Sequence, residues 1–288
     1  MQSKTYPVPQ TDPPLSPRLT LPTMYDLPSE NSQEPGLPDE YHSLQPQLLT
    51  ATLRLADYSA DNRFSVGDMN LYYDVRHANW YKRPDWFLVL GVPRLYDQQD
   101  SRLSYVIWQE GVSPFIVVEL LSPGTEKEDL GKTLAAADSP PTKWQVYEQI
   151  LRVPYYIVLD RYTNHLRAFG LTTGGYQPLE MIDQRLWLPE LAIGLGVWQG
   201  EYQGITRSWL RWYDVDNNWT MTDAEQECQA KEQALIQVEQ AIERAELAES
   251  QLEQVVLRLL QSGMPTAQVA DLTGLAEAEV VKLTQVDK

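Results

Sequence analysis

The chain has 288 residues, of which 43% are hydrophobic and 10% aromatic, so it can bury a core and is not a wholly disordered protein. A single cysteine and three scattered histidines exclude a disulfide framework, a four-cysteine zinc site and a helical histidine pair. The net charge of −17 repels nucleic acid and anionic membranes on average. Any phosphate-binding role must therefore depend on a local cationic site or on a metal ion.

The first segment, residues 1–46, is predicted to be a disordered proline-rich leader. It holds ten of the 20 prolines and no apolar run, and proline removes backbone donors and fixes φ. The first residues show no apolar segment of a secretory signal, and 18 apolar residues never run together in the sequence. We therefore expect no membrane partner and a cytoplasmic location.

Residues 47–216 are predicted to form one α/β domain, because apolar runs of strand length alternate with turn signals. The predicted strands are Trp86–Val92, Tyr105–Trp108, Phe115–Leu121, Tyr155–Leu159 and Leu166–Leu171, with further short strands over Trp187–Trp219. The run Phe115–Leu121 is apolar on both faces except for Glu119, which is typical of a central strand covered on both sides. A helix over Lys143–Leu151, between two of these strands, completes a βαβ-like unit.

Residues 223–261 are predicted to form a coiled-coil helix. Apolar residues recur at steps of three and four, with one break at Glu249, and the series is Leu235, Val238, Ile242, Ala245, Leu252, Val256 and Leu259. Either this helix pairs with a second copy of itself, or its apolar stripe lies on the globular domain. The narrow stripe favours a homodimer formed through the helix.

Residues 262–288 are predicted to form a small helical tail, with short helices over Thr266–Leu272 and Ala276–Leu283 joined through Gly274. Such a pair resembles a DNA-reading helix-turn-helix. However, Thr222–Lys288 carries 5 bases against 13 acids, which favours a packing or oligomerisation cap over a DNA reader.

Two carboxylates on neighbouring predicted strands are the strongest functional signal. Asp85 opens one strand, and Glu119 stands alone in a stretch that should be buried, where an ionised carboxylate is costly unless it is paired or bound to a metal. Two carboxylates, a backbone carbonyl and waters form an oxygen shell that suits Mg²⁺, and Lys143 on the following helix can hold a phosphate. The alternative is structural: a turn cap at Asp85, an arginine pair at Glu119 and a solvated Lys143.

Five motifs occur in a characteristic order, namely Gly67–Tyr73, Pro84–Val89, Val117–Thr125, Lys143-x-x-x-Tyr147 and Pro154–Asp160. This series resembles the bacterial putative restriction endonuclease domain family, which is placed in the PD-(D/E)XK nuclease superfamily. The resemblance covers roughly Leu48 to Asp214. It implies a restriction-endonuclease-like core with a mixed central sheet and a Mg²⁺-dependent phosphodiesterase activity on DNA.

The resemblance also implies the metal ligands. Asp85 and Glu119 match the two acids and would bind Mg²⁺ or Mn²⁺, with the carbonyl of Leu120 as a third ligand. Asp68 would be a further ligand or a supporting acid. The superfamily's acid on an early helix has no clear match in this sequence.

The superfamily's lysine, two residues after the second acid, is replaced by Leu121. The resemblance instead implies Lys143 and Tyr147, which lie on one helix face at i and i+4. Lys132 is the rival lysine, because an insertion of about a dozen residues separates the two candidates.

Two hypotheses of function remain open at this point. The first is a Mg²⁺-dependent endonuclease that hydrolyses DNA phosphodiester bonds. The second is a catalytically inactive nuclease fold that acts as a scaffold through its coiled coil. A Ser/His/Asp hydrolase is disfavoured, because the sequence contains no Gly-x-Ser-x-Gly motif.

Overall fold

The computed structural model describes residues 14–23, 26, 40–121, 129–132 and 139–283. The chain divides into two compact units, Met1–Thr222 and Asp223–Lys288. Within the described ranges, no helix combines the length and the apolar character that a bilayer crossing needs.

The described part of the first unit contains three sheets. Their strands, in chain order, are β1 (Arg63–Val66), β2 (Leu71–Tyr72), β3 (Tyr81–Lys82), β4 (Trp86–Leu90), β5 (Tyr105–Val106), β6 (Ile116–Leu121), β7 (Tyr155–Asp160), β8 (His165–Thr172), β9 (Gly175–Pro178), β10 (Arg185–Leu188), β11 (Ile193–Tyr202) and β12 (Ile205–Tyr213). The central six-stranded sheet has the order β1-β4-β6-β7-β8-β9. In it β6 and β7 are parallel and the other neighbours antiparallel. The predicted mixed sheet of an α/β fold is therefore confirmed.

Among the helices of the first unit, one packs on each face of this sheet and two shorter ones lie beside β5; the remaining helices form the second unit. In chain order, the helices are α1 (Pro17–Thr20), α2 (Glu40–Thr52), α3 (Ile107–Glu110), α4 (Lys143–Gln145), α5 (Asp223–Gln261), α6 (Thr266–Thr273) and α7 (Glu277–Leu283). Helix α4 continues without interruption into a π-helical turn over Val146–Ile150, and short 3₁₀ turns lie at Ala60–Asn62 and Val75–His77.

Strand β6 lies at the centre of the sheet, and all six of its residues are buried. Because side chains alternate along a strand, Ile116, Val118 and Leu120 face one layer, which α2 and the β10-β11-β12 sheet form. Val117 and Leu121 face the opposite layer with the π-helical turn. Glu119 shares this second face, so its carboxylate points away from α2.

Helix α2 begins at Glu40, inside the segment predicted to be a disordered leader, so that prediction is wrong for residues 40–46, and it is also wrong for Pro17–Thr20, which form α1. The prediction of disorder relied on the proline content of the segment, but one of these prolines, Pro46, lies within α2. Tertiary contacts stabilise α2. The buried Gln45 side chain donates from Nε2 to the Leu210 carbonyl and accepts the Leu210 N–H at Oε1, both at 2.8 Å. The rest of the predicted leader, apart from residues 14–23 and 26, lies outside the described residues.

Two strand predictions also need correction. The run Tyr105–Trp108 is a strand only over its first two residues, and the chain then enters α3, which ends at Gly111 with a φ of 75°. The tryptophan-rich region does not form only short strands, because β11 and β12 have 10 and 9 residues. The two form a long hairpin that brings the buried Trp209 and Trp212 into the core against α2.

The second unit consists of α5 followed by the two predicted short helices, which the structure confirms as α6 and α7. Val256, Val269 and Val280, one from each helix, are fully buried together in a small core. Over residues 226–251 of α5 all side chains are exposed; Leu235, Val238 and Ile242 have exposed fractions of 61%, 56% and 54%.

Candidate active site

Asp85 and Glu119 lie side by side on one face of the central sheet. Strands β4 and β6 are antiparallel, with Trp86 opposite Val118 and Phe87 opposite Val117. The same register places Asp85, the residue before β4, opposite Glu119. Directly opposed residues of neighbouring strands have Cβ atoms about 4.5–5.5 Å apart, which puts the two carboxylates within reach of one ligand.

The backbone of Leu120 ties these two residues together. Its N–H donates to Asp85 Oδ2 at 2.6 Å, so the amide points to the β4 side of the strand. The carbonyl of the same residue points to that side as well, since N–H and C=O of one strand residue share an edge. Strand β4 begins at Trp86, which pairs with Val118, so its ladder ends before Leu120. The Leu120 carbonyl is thus directed towards the Asp85 side chain rather than into the sheet.

Both oxygens of Glu119 accept hydrogen bonds from the helical segment that follows. Lys143 Nζ lies 2.9 Å from Oε2, and the Tyr147 hydroxyl donates to Oε1 at 2.8 Å. A capping box between Thr142 and Gln145 starts this helix, so Lys143 is fixed in its first turn. The π-helical turn carries Tyr147, and such turns are frequent at functional sites.

A third carboxylate, Asp129, completes a charged cluster. It is buried, and its Oδ1 lies 3.3 Å from Lys143 Nζ, without the geometry of a hydrogen bond. The Tyr156 hydroxyl donates to its backbone carbonyl at 2.9 Å. Lys143, with a side chain that is 22% exposed, therefore bridges Glu119 and Asp129.

The cluster shifts the pKa values of its members. Burial raises the pKa of Glu119 to about 8 against the opposing effect of Lys143, and Asp85 and Asp129 add smaller increases. Burial also raises the pKa of Asp85. For Lys143, burial would lower the pKa, but Glu119 and the two aspartates raise it, so the ammonium stays charged. Three carboxylates around one ammonium thus favour the uptake of a proton or of another cation.

Two further residues named from the sequence do not join this cluster. Asp68 is exposed, has a φ of 55° and forms a salt bridge of 2.7 Å with Arg83. Lys132, the rival lysine, is exposed, whereas Lys143 contacts Glu119 directly.

Three residues near the carboxylates were not anticipated. His42 on α2 has Nε2 3.4 Å from the Leu120 carbonyl oxygen. Asp129 has Oδ1 3.3 Å from Lys143 Nζ. Arg167 lies in the same row across the sheet, since Glu119 pairs with Val158 and Val158 with Arg167. Its Nη1 is buried and has no hydrogen-bond partner among the described residues. No sequence signal identifies these contacts, because they join segments far apart in the chain.

A cleft of about 490 Å³ opens beside the site between α2 and the segment that follows β1. His42, Gln47 and Asp68 are among the residues that line it. Gly67 allows the close approach of these segments: a Cβ there would lie 2.4 Å from Pro46 Cβ and 2.8 Å from the Asp85 carbonyl oxygen. Of the residues that line the cleft, His42 contacts the Leu120 carbonyl oxygen.

The donors present fit a hard divalent cation. Asp85, Glu119 and the Leu120 carbonyl offer oxygen atoms on adjoining strands, and oxygen ligands are what Mg²⁺ prefers. Each Glu119 oxygen retains a lone pair beyond its hydrogen bond. Within the described ranges, no three His, Cys, Asp or Glu side chains are arranged as a metal site. The Leu120 carbonyl and water would supply the further oxygen ligands of an ion held by the two carboxylates.

The model of the Uma2 family, described as putative restriction endonuclease, matches residues 21–203. The chain belongs to this family. Uma2 falls in the PD-(D/E)XK-like nuclease superfamily, and the mixed sheet with C-terminal helices agrees with a restriction-endonuclease-like fold. A search of curated proteins finds no match. Membership of Uma2 supports a nuclease-like function, and Asp85, Glu119 and Lys143 all lie within the matched residues.

Proposed function

We propose that this Uma2 protein is a Mg²⁺-dependent endonuclease that hydrolyses DNA phosphodiester bonds, with Mn²⁺ as a substitute ion. The single observation that carries the proposal is the placement of Asp85 opposite Glu119, with Lys143 bonded to Glu119. The residues that would hold the ion are Asp85, Glu119 and, through its carbonyl, Leu120. When bound, the ion supplies Lewis-acid stabilisation of the charge that develops on the phosphoryl oxygens.

The side chains around the carboxylates have separate roles in this proposal. Lys143 binds a phosphate oxygen and orients the attacking water, while Tyr147 holds the Glu119 carboxylate in place through the 2.8 Å hydrogen bond. Arg167, on the same face two strands away, offers a second cation to a neighbouring phosphate. A guanidinium group binds phosphate oxygens in a bidentate manner, which helps to fix the substrate.

A cleavage assay tests the assignment. Supercoiled plasmid is incubated with the full chain and Mg²⁺ or Mn²⁺, and nicking is followed with time. Glu119→Gln removes the carboxylate at nearly constant volume and should abolish nicking, whereas the matched change Glu201→Gln at an exposed position of β11 should leave it unchanged. Equal nicking by both variants would rule out the proposed site.

The long helix α5 favours a homodimer as the working form. Its exposed stripe includes Leu235, Val238 and Ile242, and a heptad stripe of this kind pairs with an identical stripe in a coiled coil. Val238→Asp should convert a dimer into a monomer in sedimentation velocity, while Glu239→Gln on the same helix should not. A wild type that sediments as a monomer at all concentrations would refute the dimer.

The same exposed stripe favours a second candidate function, an inactive nuclease fold that acts as a scaffold through α5. Unlike the nuclease, a scaffold would show no change in melting temperature on addition of Mg²⁺ and would cleave no DNA. For both candidates we place the protein in the cytoplasm, where the exposed free thiol of Cys228 would stay reduced.

A further inference from the structure

Helix α5 carries a seam in which two charged residues of opposite sign interrupt apolar and small side chains. The seam residues follow one another at steps of three and four, so they share one face of the helix. They are Cys228, Lys231, Leu235, Val238, Ile242, Ala245, Glu249 and Leu252. A helix that packs along this seam therefore meets one cation and one anion as well as an apolar surface.

The two charged seam residues are available to a second helix. Lys231 and Glu249 are both exposed, and neither forms an ion pair or a side-chain hydrogen bond among the described residues. A charge inside a coiled-coil seam is costly unless a partner neutralises it. The arrangement of these two charges therefore restricts how a partner helix can lie.

The free part of the seam ends where the second unit covers it. Val256, the next seam position after Leu252, is buried with one valine from each of α6 and α7. The free seam thus runs from Cys228 to Leu252, and Gln240 lies at its midpoint, twelve residues from each end.

A second copy of α5 that runs in the opposite direction, centred on Gln240, brings the unlike charges together. Lys231 precedes Gln240 by nine residues, and Glu249 follows it by nine. In such a pair Lys231 lies opposite the partner's Glu249, and the same contact forms a second time by symmetry. The remaining seam residues then meet apolar or small ones: Cys228 faces the partner's Leu252, Leu235 the partner's Ala245, and Val238 the partner's Ile242.

A parallel pair in register would instead set each charge against its own copy. Glu249 would meet the partner's Glu249, and Lys231 would meet the partner's Lys231. Inside a seam the side chains lose water, so like charges repel more strongly there than at a solvated surface. The seam charges therefore favour the antiparallel pair.

The residues that flank the seam allow this orientation. In an antiparallel pair the glutamates along one edge face those of the partner, but they lie at the solvated rim, where salt screens their repulsion; they are Glu232, Glu239 and Glu246. The other edge carries only small side chains, namely Ala234, Ala241 and Ala248. Small residues let two helices approach closely along that edge, which moves the two rows of glutamates apart.

We propose that α5 pairs with α5 of a second copy in antiparallel orientation, in the register that joins Lys231 to the partner's Glu249. The inference rests on the homodimer proposed above and adds its orientation, its register and the residues in contact. Because the first unit precedes α5, the pair attaches the first units of the two copies at opposite ends of the coiled coil. Asp223 precedes Gln240 by 17 residues, so the two attachment points are about 50 Å apart along the axis.

A distance between two spin labels tests the orientation. Cys228 is the single cysteine of the chain and is exposed, so a nitroxide label can be attached to the full chain without a substitution. In the proposed dimer the two labels are separated by twice the twelve residues to Gln240, about 36 Å along the axis, and double electron–electron resonance should give about 35–45 Å. A parallel pair, with helix axes about 8–10 Å apart, would place the labels within about 20 Å, and that distance would overturn the proposal.

A second label position removes any effect of a label within the seam. In Cys228→Ser/Gln226→Cys the label faces away from the partner helix. Gln226 precedes Gln240 by 14 residues, so the expected distance is about 45 Å in the antiparallel pair and about 25 Å or less in a parallel one. A short distance in this protein would contradict the orientation as well.

Charge reversal tests the register. Lys231→Glu replaces both ion pairs by pairs of carboxylates and should raise the Kd of the dimer about 10-fold or more in sedimentation equilibrium at low salt. Lys231→Glu/Glu249→Lys re-forms the pairs with the charges exchanged and should restore the Kd. Arg244→Glu changes the net charge by the same amount at an exposed position outside the seam and should leave the Kd nearly unchanged. An effect of Lys231→Glu no larger than that of Arg244→Glu, or no recovery in the double variant, would overturn the register.

These measurements separate the inference from the proposals on which it rests. A wild type that sediments as a monomer at all concentrations would contradict the dimer and its orientation together. A dimer with a short distance between labels would contradict the orientation alone. The plasmid assay with Glu119→Gln tests the endonuclease independently, because every seam residue lies in the second unit.

Discussion

Replacing Lys143 by Met tests the electrostatics of the cluster, because Met keeps an unbranched side chain of similar length but has no charge. In the structure Nζ lies 2.9 Å from Glu119 Oε2 and 3.3 Å from Asp129 Oδ1. Removing one partner of a buried ion pair costs about 3–5 kcal/mol. The 22% exposure of the lysine and the ability of Glu119 to take up a proton reduce this cost.

We therefore expect the free energy of unfolding to fall by about 2–3 kcal/mol at pH 9 and by about 1 kcal/mol at pH 6. The difference arises because the pKa of Glu119 is about 8, so that at pH 6 its carboxyl is already neutral and depends less on the ammonium. Above pH 8 the carboxylate is ionised in the wild type and needs Lys143.

Urea unfolding in EDTA, followed by tryptophan fluorescence, measures this change. All nine tryptophans precede Thr222, so the signal reports the first unit alone. Lys132→Met, at an exposed position, should change the free energy by about 0.5 kcal/mol or less. A Lys143→Met effect that is no larger than the Lys132→Met effect, or that does not grow with pH, would refute the reasoning.

Three other predictions follow from the same contacts. Burial raises the pKa of Glu119 from 4.5 to about 8, so the contribution of the protonated Glu119 to folding stability is complete below pH 4.5 and is lost as the pH rises through 8. In EDTA the melting temperature should therefore fall over this pH range, and Glu119→Gln should make the fall smaller. An unchanged pH profile in the variant would contradict this. Tyr147→Phe removes the donor to Glu119 Oε1 and should lower the free energy of unfolding by about 1–3 kcal/mol in urea titrations; no change would mean that the bond contributes nothing. Gly67→Ala places a Cβ 2.4 Å from Pro46 Cβ and should lower the free energy of unfolding by about 1–3 kcal/mol, measured by thermal unfolding. The control Gly174→Ala, where the nearest atom lies 3.9 Å from the added Cβ, should lower it much less. Equal losses in the two variants would show that the close approach at Gly67 is unimportant.

The sequence predicted those parts of the fold that depend on local pattern. The apolar run around Glu119 identified the central strand, because burial on both faces leaves no polar alternation. Combined with the strand that follows Asp85, it indicated two neighbouring carboxylates, and the β4–β6 register places the two residues opposite each other. The helical spacing of Lys143 and Tyr147 likewise placed both on one side of a helix, and both bond to Glu119.

The sequence could not predict features that depend on distant contacts. Helix α2 is held by Gln45 through bonds to Leu210, 165 residues away, and its proline content suggested disorder instead. The same distance hid His42, which only the packing of α2 brings to the Leu120 carbonyl. Asp129 was not predicted either, because its contact with Lys143, 14 residues further along the chain, is set by the fold and not by a local sequence pattern.

The measurement that tests the central claim most directly is the position of bound Mn²⁺ in a crystal of the full chain, located by anomalous scattering. The account predicts one strong peak bounded by the carboxylates of Asp85 and Glu119 and by the carbonyl of Leu120, and its loss in Glu119→Gln. An empty site at saturating Mn²⁺, or a peak that persists unchanged in Glu119→Gln, would contradict the claim that these strands hold the ion.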